Sequence, residues 1–235
     1  MINVIPADKR HFSNFGWLKT YWLFSFSEYY DPENVQFGSL RVFNDDIVEP
    51  GQGFPTHPHR EMEIITVVLD GEITHKDSMG NSGVVKAGEV QRMSAGRGLT
   101  HSEFNMGNEP LHLYQIWIYP GTPGLEPGYD QKPFDPSLWK NTLFAVASGQ
   151  GHERAVSFHA DATIYRADLE TGVSVDVSTS ESRKIFVYVT SGDVVINGKP
   201  VAEKDQARID RETALKIEGA TDASFVMIDV PNVDE

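Results

Sequence analysis

Short apolar runs, each cut off by glycine, asparagine, aspartate or proline, recur along the whole 235-residue chain. SLRVFND (39–45), EIITVVLDG (63–71), GVVKAGE (83–89), LHLYQIWIYP (111–120), KIFVYVTSG (184–192) and FVMIDVP (225–231) are strand-length and rich in Val, Ile and aromatics. Regular short runs with turn residues between them predict an all-β sandwich or barrel. Helix signals are weak, and DPSLWKN (135–141) predicts a single turn. With 40% hydrophobic residues, 13 Phe and 4 Trp, the chain can fill a sizeable core.

Residues 120–136, PGTPGLEPGYDQKPFDP, hold five prolines and three glycines and cannot continue a central strand. They read as a linker, ordered by packing of Leu125, Tyr129 and Phe134, so the chain divides into 1–120, a Pro/Gly-rich linker over 121–136, and 137–235. The two halves read as a diverged repeat. VVLDGEITH (67–75) and VYVTSGDVVING (187–198) both run strand, glycine turn, strand. Aligning Gly71 with Gly192 sets His57 opposite Ser178 and His59 opposite Ser180.

The formal charge is −14, spread over both halves, and there is no basic stripe. Such a surface repels phosphate backbones, which argues against direct nucleic-acid binding. The absence of cysteine excludes disulfides, thiolate zinc sites and cysteine catalysis. The N-terminus does not resemble a signal peptide, and no run approaches the ~20 apolar residues of a membrane span. The expectation is a cytoplasmic protein with no membrane partner, monomeric because one half already covers part of the other.

In an extended segment residues i and i+2 share a face, so His57 and His59 in THPHREME aim together, with Pro58 favouring the extended form. Eight histidines in a chain of this length give an HxH by chance roughly a quarter of the time, so this pair alone is weak. LTHSEFN (99–105) adds His101 and Glu103 at the same spacing, after the glycine-rich turn SAGRG (94–98). On facing strands the two pairs bring three imidazoles and one carboxylate together. That set suits a divalent transition metal with open positions, the mark of a catalytic site. Of the remaining histidines, His112 is expected to support the site from behind. His11, His75, His152 and His159 are read as surface or ordinary hydrogen-bonded residues.

These residues carry a resemblance. Gly51-x5-His57-x-His59-x3-Glu63 followed by Gly71 resembles the first cupin motif, and Gly98-x2-His101-x3-Asn105 resembles the end of the second. GFPTHPHREMEIITVVLDGEITHKDSMGN and SAGRGLTHSEFN, together with NDD (44–46), SFSEYYDP (25–32) and LHLYQIWI (111–118), resemble the pirin family, in particular its bacterial quercetin 2,3-dioxygenases. The likeness is strong over the first 120 residues and looser beyond.

The resemblance implies a bicupin of two β-barrel domains: a metal-binding N-terminal one, and a degenerate C-terminal one without ligands, in keeping with Ser178 and Ser180. Most cupins use the first-motif glutamate as a ligand. The pirin pattern takes the carboxylate from the second motif, which gives His57, His59, His101 and Glu103 and leaves Glu61 and Glu63 without an assigned role. The implied metal is iron, with zinc, nickel, cobalt, manganese and copper also compatible. The implied reaction opens a flavonol ring with O2 and releases carbon monoxide. In it the metal acidifies the substrate hydroxyl and Glu103 accepts its proton. Phe54, Met62 and Met79 are expected at an apolar mouth for the flat substrate. Related pirins imply a second function, a metal-dependent regulatory cofactor of transcription acting through protein contacts. A third is another small-molecule cupin chemistry such as isomerisation, because one fold hosts many activities.

Overall fold

The strand-length runs do become strands. The computed structural model describes residues 1–233. Among these the helical elements are two short 3-10 turns, Ala7–Lys9 and Pro136–Trp139. The second begins where Asp135 caps the backbone N–H of Ser137. No helix of the described residues is long and apolar enough to cross a membrane.

The described strands form two seven-stranded and two four-stranded sheets, and the five inner strands of each large sheet follow the same order, while the outermost differ: His11–Asn14 pairs antiparallel with its neighbour and Val156–Ser157 parallel with its own. In the first large sheet the order is Gly128–Pro133, Glu89–Ser94, Glu63–Asp70, Leu111–Ile118, Leu40–Val48, Leu18–Trp22, His11–Asn14. In the second it is Ile2–Ile5, Gln206–Asp210, Arg183–Ser191, Ala223–Pro231, Thr163–Leu169, Phe144–Ser148, Val156–Ser157. The small sheets, led by Gly53–His59 and Ser174–Ser178, match in the same way. Gly71 and Gly192 both turn the chain between equivalent strands with positive φ, +75° and +65°. A Cβ at either would strike backbone, Pro110 O or Asp222 O, so both positions require glycine. The repeat read from these two turns is therefore a repeat of topology.

Two edge strands cross the boundaries expected from the sequence. Ile2–Ile5 pairs with Gln206–Ile209 and so closes the large sheet of the second half. The expected linker contains the strand Gly128–Pro133, which pairs with Glu89–Ser94 of the first. The single proline of that strand, Pro133, is tolerated because the strand lies at a sheet edge and ends there.

The large sheets face each other across the principal core, where Phe43, Ile65, Tyr114 and Ile116 meet Phe186, Tyr188, Val226 and Ile228. Burying side chains of this size stabilises by roughly 1.5–3 kcal/mol each. One buried polar node bridges the halves within that contact. Asp45 accepts from Tyr188 Oη at 2.8 Å and faces His112 Nε2 at 2.6 Å, while Arg10 donates to Tyr188 Oη at 2.7 Å. His112, expected behind the histidine site, is committed to this node instead. It points away from the barrel interior because its neighbours Leu111 and Leu113 occupy the inward positions of the strand.

The interiors of the two barrels differ. The second is filled by one continuous apolar cluster that includes Ala167, Leu169, Ile185, Val187, Leu215, Ile217, Phe225 and Met227. In the first, apolar packing is split into a floor around Leu18, Val48, Val68 and Leu113 and a small group of Ile64, Met93 and Leu99. Polar side chains and a cavity occupy the space between.

Candidate metal centre

The histidines come from two neighbouring strands of the small sheet. Gly53–His59 lies at its edge, which accommodates Pro55 and Pro58 despite their missing N–H groups. It pairs with Leu99–Phe104 so that His101 sits opposite His57, and Leu99 opposite His59. The register then shifts, and Glu103 lies opposite Phe54. One extra residue on the proline strand is a bulge that re-aims its side chains. The ring centroids of His57, His59 and His101 are 4.4–4.9 Å apart. Trp117 closes on the edge of His59 at 4.9 Å.

The ligand atoms fall into two overlapping groups, each with all members within 4.8 Å of one another: His57, His59 and His101, and then His75, His101 and Glu103. His101 is shared. Glu103 thus lies against the third imidazole and beside His75, a residue that sequence reading dismissed as ordinary. His75 is fully buried, stacks on Tyr129 at 4.6 Å and stands between Asp77 Oδ2 at 3.3 Å and Glu103 Oε1 at 3.9 Å. Burial pulls its pKa down, but the two carboxylates outweigh it and hold it above the ordinary histidine value. Its signal in the sequence was alternation: Ile73 and His75 are i and i+2 on one strand, and both face inward.

Both oxygens of Glu103 are engaged. Gln91 Nε2 donates to Oε1 at 2.8 Å and Gln115 Nε2 to Oε2 at 3.1 Å. Thr66 Oγ1 donates to Gln115 Oε1 at 3.2 Å, and Tyr129 Oη donates to Gln91 Oε1 at 3.1 Å. Burial alone would raise this carboxyl. The nearby His75, itself held above the ordinary histidine value, and the hydrogen bond from Gln91 keep it ionised, at about 2.

The imidazole set fits a bound cation. Burial, followed by neighbouring imidazoles, pushes His59 down to about 4. Burial likewise pushes His101 down to about 4 against the pull of Glu103. Both rings are therefore in the neutral form that binds metals. His57 Nδ1 lies 2.7 Å from Pro55 O, so it carries the proton and leaves Nε2 a bare lone pair. That lone pair faces His101 Nε2 at 3.0 Å, while His101 Nδ1 is buried without a partner. Two inward nitrogens this close repel unless a proton or a cation lies between them.

The imidazoles and Glu103 open onto a cavity of about 520 Å³. Its wall is aromatic, with Phe15, Trp17, Trp22, Phe26, Phe54 and Trp117. Of the expected mouth residues only Phe54 lines it. Met62 packs with Ile64, Met93 and Leu99, and Met79 is exposed. Glu63 points the other way. It is buried against Ser94 Oγ at 2.6 Å, and burial raises its pKa. Glu61 accepts from the backbone N–H of Gly124 and fixes the start of the connecting segment.

The pirin family model matches residues 6–118, and a model described as a quercetinase C-terminal cupin domain matches residues 145–230. A quercetin 2,3-dioxygenase of Escherichia coli (strain K12) is 43% identical over 235 residues, covering 99% of this chain and 100% of the relative. A pirin-like protein of Caulobacter vibrioides is 40% identical over 230 residues, covering 97% and 99%. Among solved structures, the bacterial pirin YhhW from Escherichia coli in complex with nickel(II) superposes with a TM-score of 0.93 at 40% identity, covering 99% of this chain and 100% of that one.

Proposed function

The chain belongs to the pirin family, and we propose that it is a metal-dependent dioxygenase that opens the flavonol ring of quercetin-like substrates with O2 and releases carbon monoxide. The observation that carries this reading is the conjunction of neutral, inward-facing imidazoles and an ionised carboxylate with an aromatic-walled cavity wide enough for a flat polycyclic ligand. Full-length relatives named quercetin 2,3-dioxygenase support it.

His57, His59, His101 and Glu103 would hold the metal, iron being the first assignment and nickel, zinc, cobalt, manganese and copper compatible with the same donors. When bound, a divalent metal supplies a Lewis acid that lowers the pKa of a coordinated hydroxyl. The chain's own residues do the rest. Gln91 and Gln115 keep Glu103 ionised and fixed, so that it is available to receive the hydroxyl proton once one amide donor yields. The Phe54 and Trp117 rings hold the substrate plane and exclude water from the reacting carbons. In the overall change both atoms of O2 enter the opened ester product, and one ring carbon leaves as carbon monoxide.

The experiment is to load each metal in turn onto stripped protein and follow quercetin absorbance, O2 uptake and carbon monoxide together. Equal consumption of flavonol and O2 with matching carbon monoxide is expected. No turnover with any metal would remove the dioxygenase and leave the metal-dependent regulatory reading in its place.

A further inference from the structure

The cavity wall opposite the small sheet holds polar groups that the histidine site does not use. Strand Leu40–Val48 carries Asn44, Asp45 and Asp46, all at least nine-tenths buried. Alternation sends Asp45 to the node between the halves and leaves Asn44 and Asp46 on the other face, where both line the cavity. Asp45 is well served by its partners. Asn44 Oδ1 and Asp46 Oδ1 are buried without a hydrogen-bond partner, and so is Nε1 of the cavity-lining Trp117. Thr20, paired with Asp46 across the strands, has an unpartnered Oγ1 as well.

Buried polar atoms left unpaired destabilise a fold, and several of them around one cavity need an explanation. The second barrel shows that the sheet does not require them. At the same sheet position, Thr163–Leu169 turns Ala167 and Leu169 into a continuous apolar core. The first barrel keeps polar groups where packing favours apolar ones, and it keeps them on a cavity.

We propose that Asn44 and Asp46 are a second anchoring point of the cavity, binding a phenolic hydroxyl of the aromatic ligand other than the one that reaches the imidazoles. The chemistry selects the ligand group. Two orphaned acceptor oxygens call for an O–H donor, and the Trp117 indole N–H calls for an acceptor. A phenolic hydroxyl is both. Burial, reinforced by the charges of Asp45 and Glu103 and opposed by His112, pushes the Asp46 carboxyl up to about 7. Near neutral pH such a carboxyl is about half protonated, and it faces a hydroxyl at a smaller cost than a fully ionised one would. The ligand class is a polyhydroxylated flat aromatic, preferred over one with a single hydroxyl. This inference rests on the cavity being the substrate site.

The test is anaerobic calorimetry, in which ligand binds but cannot turn over, on metal-loaded protein with its metal content measured. The two probes are quercetin and 3-hydroxyflavone, which lacks the further phenolic hydroxyls. Wild type should bind quercetin about tenfold more tightly than 3-hydroxyflavone, the factor expected for one well-made buried hydrogen bond. Asp46→Leu should remove that preference, leaving metal content and 3-hydroxyflavone affinity within about twofold of wild type. Asn44→Leu provides the same comparison if Asp46→Leu does not fold. Unchanged preference for quercetin in every folded variant, or equal loss of both ligands, would overturn the proposal, as would failure of wild type to discriminate. Preference that depends on Asp46 in a protein that releases no carbon monoxide would uphold the anchor and remove the dioxygenase. Carbon monoxide release without that dependence would do the reverse.

Discussion

Replacing Asp46 by asparagine should stabilise the metal-stripped protein, and by an amount that grows with pH. In the unfolded chain this carboxyl titrates at its ordinary value of 3.8, whereas in the fold it is pushed up to about 7. A raised acid contributes its full stability at low pH and loses it as pH climbs from the unfolded value through the folded one. A gap of roughly three pK units is worth at most about 4 kcal/mol above neutrality, and water entering the cavity screens part of it. The asparagine variant has no such loss. Its advantage over wild type should therefore grow by about 2 kcal/mol between pH 5 and pH 8. His59 and His101, both held near 4, also titrate against the fold as pH falls, but they do so in both proteins and cancel in the difference. Urea unfolding of the two proteins at several pH values, after chelation of metal, measures the effect directly. A stability difference that is the same at pH 5 and pH 8 would refute the reasoning, because a simple packing or hydrogen-bond change carries no such slope.

Other consequences are open to direct measurement. His101→Ala should abolish metal retention through dialysis, since His101 is the imidazole common to both ligand groups. Glu63→Gln should retain metal at wild-type stoichiometry, because that carboxyl is buried against Ser94 and does not line the cavity. Gln91→Leu removes a donor to a buried ionised carboxylate, and should cost roughly 1.5–3 kcal/mol in urea unfolding of stripped protein. Tyr188→Phe should cost roughly 1–3 kcal/mol in the same assay, since it takes a donor from Asp45 and an acceptor from Arg10 in the contact between the halves.

The sequence disclosed the fold where local chemistry dictates it. Apolar runs ended by turn residues became strands, and Gly71 and Gly192 turn equivalent hairpins because backbone crowds the space a side chain would need. What it did not disclose are pairings set by distant chain. Nothing in INVI marks residues 2–5 as the edge of a sheet some two hundred residues away, yet Ile2 joins the apolar core of the second barrel. The proline-rich segment was legible as a poor central strand but not as an edge. Of its five prolines only Pro133 falls within the strand, at its last position, so the missing N–H groups leave the edge ladder to Glu89–Ser94 nearly intact.

At the site the same division holds, and it explains why the histidine pairs were found and their setting was not. His57 with His59 and His101 with Glu103 are visible because strand alternation ties each pair to one face. His75, Gln91, Gln115 and Tyr129 arrive from four other strands, and each looks alone like an unremarkable polar residue in an apolar run. Their meaning emerges only when pairing brings them around one carboxylate. Asp45 and Asp46 show the limit most clearly. They are adjacent, chemically identical and equally buried, yet alternation gives them opposite environments. Burial alone raises a carboxyl; His112 and Tyr188 reverse that for Asp45 and lower its pKa, while Asp46, with an unpartnered oxygen on the cavity wall, stays high. The opposite fates of two neighbouring aspartates follow from which face holds partners. In this barrel the face that lacks them is the one that lines the cavity.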